Sequence, residues 1–202
     1  VSTILCHYCD KTCFKEYNET IFSQWLINVL GPVIMGVKAS EIMSFHPCDR
    51  HTDHKLKTIQ ELMLHSEGMK TMSFQLSDHS TKIVFYSHAK LNELLRDCRV
   101  IRFLQGEGYP TQVSIEGYLK HLQQRFYDVG MPHEIGVFLG YPIKDVMGFM
   151  GKGNLKRVKI QGWQVFGDER PSDYLYEAFC QARIAMRHRL ENEGVLAILR
   201  SA

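Results

Sequence analysis

The sequence predicts an α+β fold, a small antiparallel sheet of two or three strands packed against a layer of about six helices. Three observations carry that prediction. Apolar residues recur with the 3.6-residue period of amphipathic helices along most of the chain. The period switches to strict alternation near residue 70, where two short runs are joined by a polar connection too brief for a parallel crossover. Glycine and proline separate the periodic segments, as turn residues do.

Residues 14–30 place Phe14, Tyr17, Ile21, Phe22, Trp25 and Val29 at helical spacing, and Gly31-Pro32 is expected to end that helix. Residues 33–50 are less regular, with a short helix expected before Pro47. Residues 53–65 carry Leu56, Ile59, Leu62 and Met63 on one side of a second helix, with Gly68 beyond its end. Met72, Phe74 and Leu76 then alternate with Thr71, Ser73 and Gln75 in a half-buried strand. A second strand over 82–87 completes an antiparallel hairpin.

Residues 89–105 return to helix, with Leu91, Leu94, Leu95, Cys98 and Ile101 as the inward stripe. Ser114 is placed to cap a helix over 115–127. Residues 133–150 read as two short helices joined by Gly140-Tyr141-Pro142. A third strand is expected over 158–166, where Gly162 marks a bulge or a close backbone approach. The last helix spans about 172–192, with Leu175, Ala178, Phe179, Ala182 and Met186 inward. No linker or repeat divides the chain, so one domain over 1–202 is expected, with residues 1–13 a Cys-rich and flexible N-terminal segment.

Composition narrows the classes of function. At 202 residues, 45% hydrophobic and 23% charged, the chain can bury about two-thirds of its unfolded surface and needs no staples. The net charge of +2 gives no clear nucleic-acid signal. Lys152, Lys156, Arg157 and Lys159, and the group Arg183, Arg187, His188 and Arg189, read as solvated surface. No run reaches the ~20 apolar residues of a membrane span, and no leader pattern is visible, so a cytoplasmic protein is expected.

Cys6-His7-Tyr8-Cys9-Asp10-Lys11-Thr12-Cys13 is the densest chemical cluster. Thiolates separated by two intervening residues reach one metal ion, and Cys13 adds a third ligand. His46 and Cys48 are placed to complete the shell, with His7, His51 and His54 as further donors. A zinc ion or an iron-containing cofactor suits such a sulfur and nitrogen set. Cys98 and Cys180 fall on apolar helix faces and are expected to be buried thiols.

His133 and Glu134 open a helix beside a glycine-proline break, and with Asp168 they are the catalytic candidates, because histidine transfers protons near neutral pH. Glu134 at a helix start would equally cap free N–H groups. Val137 stands where a zinc-hydrolase H-E-x-x-H pattern needs histidine, so that chemistry is excluded. Gly140, Tyr141 and Trp163 are the cofactor-binding candidates, from a glycine-rich region open to close backbone approach. Gly151-Lys152-Gly153 lacks the Walker spacing of a phosphate loop.

The stretch His133-Glu134-Ile135-Gly136-Val137-Phe138-Leu139-Gly140-Tyr141-Pro142, followed by Asp145 and by Gly162-Trp163-Gln164-Val165-Phe166-Gly167-Asp168, resembles the DUF3793 family of bacterial proteins of unknown function. Gly31-Pro32-Val33-Ile34-Met35-Gly36-Val37-Lys38 is similar to that family's A-P-T-L-A-G-x-K segment. The resemblance covers roughly residues 28–190 and implies one domain without supplying a mechanism. The family's frequent His-Cys pair is replaced by Val29-Leu30, and its cysteine before the Gly-Trp strand by residues such as Val158 and Ile160.

Three classes of function stay open. The first, ranked slightly ahead, binds a metal or metal-containing cofactor through Cys and His. The second is a small-molecule enzyme with a pocket near His133. The third is a non-enzymatic interaction or regulatory module, for which a homodimer is one arrangement.

Overall fold

A computed structural model describes residues 16–111 and 113–201 of the chain. Among them are nine helices and five strands, an α+β arrangement. In chain order these are α1 (Glu19–Ile34), β1 (Ser40–Phe45), α2 (Thr52–Met63), β2 (Met69–Gln75), β3 (Thr81–Ser87), α3 (His88–Leu94) and α4 (Cys98–Gly106). There follow α5 (Ile115–Val129), α6 (Ile135–Phe138), α7 (Ile143–Phe149), β4 (Arg157–Gln161), β5 (Trp163–Phe166), α8 (Arg170–Asn192) and α9 (Val195–Arg200). No described helix is long and apolar enough to cross a membrane.

The main sheet has the order β1-β3-β2, antiparallel throughout. Helices cover both of its faces. Ile83 and Phe85 of β3 pack with Phe22, Leu26 and Leu30 of α1, Ile59 of α2 and Ile198 of α9. Val84 and Tyr86 face the other way, into a cluster with Leu91 of α3, Leu104 of α4, Leu119 and Phe126 of α5, and Phe138 of α6. This two-sided burial explains why 82–86 is near-continuously apolar while β2, at the edge, alternates.

Several segments depart from the sequence expectation for identifiable reasons. Residues 40–45 form β1 rather than a helix before Pro47, because pairing with β3 supplies backbone partners that weak local preference does not. α1 continues through Gly31 and Pro32, and the Pro32 carbonyl accepts from Val37 and Lys38 as the chain turns away. Gly31 is needed for packing: a Cβ there would lie 2.7 Å from Met186 Cβ of α8. Residues 89–105 are two helices, since Asp97 caps α4 by accepting from Arg99 N. Cys98 is therefore exposed and Cys180 only half-buried, contrary to the expected buried thiols. Residues 158–166 fold as two strands in a separate sheet, with Gly162 at φ +71 between them.

Candidate functional site

Three segments far apart in sequence meet beside β5. Tyr141, just after α6, stacks on Trp163 with ring centroids 4.6 Å apart and planes 18° from parallel. Lys38, buried between α1 and β1, sets its Nζ 5.6 Å from the Tyr141 ring centre and 5.5 Å from that of Phe179, and pairs with Glu41 at 2.8 Å. Burial pushes the Tyr141 phenol above its ordinary pKa. Gly140 takes φ +79, and a Cβ on it would lie 3.4 Å from Ala39 N. Gly136 and Gly148 are likewise closed on by Val146 and Phe166. The glycine-rich stretch thus admits the protein's own side chains, and the faces of Tyr141 and Trp163 are filled from within.

Asp145 ties this corner together. Its carboxylate is 1% exposed and accepts from Trp163 Nε1 (2.8 Å), Phe166 N (2.8 Å), Ser172 Oγ (2.6 Å) and Lys144 Nζ (2.6 Å). Burial works to raise its pKa, but hydrogen bonds from Lys144, Ser172, Phe166 and Trp163 outweigh burial and hold it below the ordinary range. Lys144 also donates to Phe166 O and Ser172 Oγ. With four donors on the carboxylate and three acceptors on the amine, this network joins α7, β5 and α8 and leaves no valence for a ligand.

The His133 segment is different. Glu134 is 1% exposed and accepts from Arg125 Nε of α5 at 2.8 Å and from Tyr109 Oη at 3.3 Å. Burial, then the nearby Glu134 charge, push the Tyr109 phenol up, so it stays a proton donor. Neighbouring His133 is exposed, its ring edge-on to Phe149 at 5.0 Å. A shallow groove of about 220 Å³ opens here, walled by Val129, Met131 and Met150 and floored by Arg125, His133 and Glu134. Glu134 takes the Nε of Arg125, and among the described residues no acceptor engages its two Nη groups. A larger depression of about 440 Å³ between α1, β2 and α3 is edged by Glu67, Lys70 and His88 and contains no buried charged group.

The remaining candidates lie elsewhere. Asp168 is exposed, with its carboxylate in a paired contact to Arg170 that lowers its pKa to about 2, and it does not line the groove. His46 Nδ1 and Cys48 Sγ lie 3.4 Å apart on the exposed connection from β1 to α2, while His46 Nε2 is 3.6 Å from Asp78 Oδ2. His51 accepts from Arg50 Nε, and His54 stacks on Tyr17. Cys6, Cys9 and Cys13, and the Cys-rich segment 1–13, lie outside the described residues. Among the described residues, no group of three or more His, Cys, Asp or Glu side chains is arranged to hold a metal ion.

Tyr109 was named with Tyr141, Trp163 and Asp168 as a pocket-lining aromatic, but Arg125, Lys144 and Ser172 were not singled out by sequence reasoning. Arg125 sits on an ordinary amphipathic helix nine residues before its partner, and nothing local marks it. The model of a family described as protein of unknown function, DUF3793, matches residues 26–199. No curated protein matches, and no solved structure does.

Proposed function

The chain belongs to the DUF3793 family of proteins of unknown function, and from that premise we propose that it binds a small carboxylate-bearing molecule in the groove beside His133. One observation carries the reading: a fully buried glutamate fixes Arg125 by its Nε and leaves the guanidinium fork unclaimed at a concave, partly apolar surface. A planar fork held in place suits bidentate contact with a carboxylate better than a mobile lysine does. His133 supplies a ring N–H in either protonation state. Met131, Met150 and Val129 offer an apolar bed for the rest of the ligand. At about 220 Å³ the groove is smaller than the roughly 300–1,000 Å³ of drug-sized sites, so the ligand is a fragment such as a short-chain or single-ring acid. Glu134 is a positioning residue in this reading, since Arg125 and Tyr109 both donate to its Oε1.

The test is a chemical-shift titration of the full chain with short-chain and aromatic carboxylates and with their neutral amides. Acids should perturb His133 and Met150, and the amides should not. The paired variant Arg125→Met with Glu134→Gln, which leaves no buried charge unpaired, should abolish the response. Equal responses to acid and amide, or an undiminished response in the paired variant, would overturn the reading.

A second reading is favoured by the 3.4 Å approach of His46 Nδ1 and Cys48 Sγ. In it, zinc or an iron-containing cofactor is held by those two donors together with Cys6, Cys9 and Cys13. Metal content of the untagged full chain tests it. Metal should bind the parent and be lost in the pair His46→Ala, Cys48→Ser, and no bound metal after anaerobic addition of zinc or iron would reject it.

A further inference from the structure

Lysine is almost never buried without a carboxylate partner. Two buried lysines here obey the rule, Lys38 with Glu41 and Lys55 with Asp49, and the half-buried Lys144 pairs with Asp145 in the same way. Lys82, in the central strand β3 and 6% exposed, does not. Among the described residues no carboxylate forms an ion pair with it, and its hydrogen-bond partner is Ser44 Oγ, 2.5 Å from Nζ across the β1–β3 register. Ser44 itself is exposed.

A second serine–lysine pair in the same molecule shows what the first lacks. Lys144 Nζ meets Ser172 Oγ at 2.9 Å, but there the serine donates to Asp145, which also pairs with the lysine. That serine proton is committed to the carboxylate. At Ser44 and Lys82 neither restraint exists. We propose that Ser44 and Lys82 form a nucleophile–base pair that attacks small, reactive esters reaching the exposed strand β1 from solvent.

The step balances without a cofactor. The neutral Lys82 amine takes the Ser44 hydroxyl proton as Oγ bonds to the acyl carbon. The ester C–O bond breaks, and the resulting ammonium returns the proton to the leaving alkoxide. Water then hydrolyses the acyl-serine, with Lys82 again as base. Burial pushes the Lys82 amine below the ordinary ammonium range, against the weaker upward pull of Asp78. Asp78, in the β2–β3 turn, is itself held by Ser80 N and Oγ and lies 3.6 Å from His46 Nε2, so these are the titratable groups facing the pair. The neighbours of Lys82 in register are Phe74 and Ser44, which bring no further charge.

The probe is a fluorophosphonate, which phosphonylates an activated serine with loss of fluoride. Intact-mass and peptide mapping of the full chain should find one adduct, at Ser44. Ser44→Ala should remove it, and Lys82→Met, which keeps the length of the buried stem, should slow labelling by about a hundredfold. In the parent chain, which needs no substitution, the labelling rate should rise with pH and level off below the ordinary lysine range. Absence of a Ser44 adduct, undiminished labelling in Lys82→Met, or a parent profile that still climbs through the ordinary lysine range would overturn the proposal.

Discussion

Trp163 Nε1 donates to Asp145 Oδ2 at 2.8 Å, joining the first residue of β5 to a carboxylate in the first turn of α7. The same carboxylate bonds Phe166 N at the end of that strand and Ser172 at the start of α8. Removing it strands Lys144 and three further donors in a largely dry site. Asp145→Ala is expected to cost about 3–5 kcal/mol, read as a lowered midpoint in urea unfolding. Asp168→Asn, at an exposed ion pair, should leave the midpoint close to that of the parent.

Acid should act through the same group. The folded state holds Asp145 below the ordinary carboxylate range, whereas the unfolded chain releases it to about 3.9. Its contribution is therefore complete above that unfolded value and is lost as pH falls through the folded one. Urea midpoints measured between neutral pH and pH 3 should fall less steeply in Asp145→Asn than in the parent.

Glycine substitutions separate close packing from conformational cost. A Cβ on Gly148 would lie 2.3 Å from Phe166 Cγ, so Gly148→Ala should destabilise by about 1–3 kcal/mol. Gly106, at the end of α4 with nothing within 4 Å of its Cβ position, should instead gain up to about 1 kcal/mol as alanine. Thermal unfolding of the two variants decides the matter.

Lys82→Met should raise stability by about 1 kcal/mol at neutral pH, because an amine buried without a carboxylate partner is replaced by an apolar side chain of similar reach. The sign with pH follows from the lowered folded pKa. The parent chain should gain stability as pH rises from that value towards the unfolded value near 10.4, and the variant should lack that gain. Stability of the two proteins between pH 7 and 10 gives the comparison.

Periodicity revealed the elements whose burial is one-sided. α2, α5 and α8 present stripes the sequence displays directly, and β2 alternates as a strand with one dry face. It did not reveal β1, whose residues SEIMSF become a strand through their partner β3. The groove was half legible. His133 and Glu134 stood out as a polar pair at a helix start, but Arg125 and Tyr109 reach them only in the folded chain. Asp145 and Ser172 are 27 positions apart, and Lys38 reaches Tyr141 across more than a hundred residues, distances at which spacing carries no signal. Tyr141 and Trp163, expected beside a cofactor, face each other for the same reason.

The seven residues of β3 are a party wall. Each side furnishes one chamber of the interior, Ile83 and Phe85 for one and Val84 and Tyr86 for the other, while both ladders hang from its backbone. Neither chamber can be dismantled while its neighbour stands. Amide protons of β3 should thus be the last to exchange with deuterated solvent, at a rate set by opening of the entire chain.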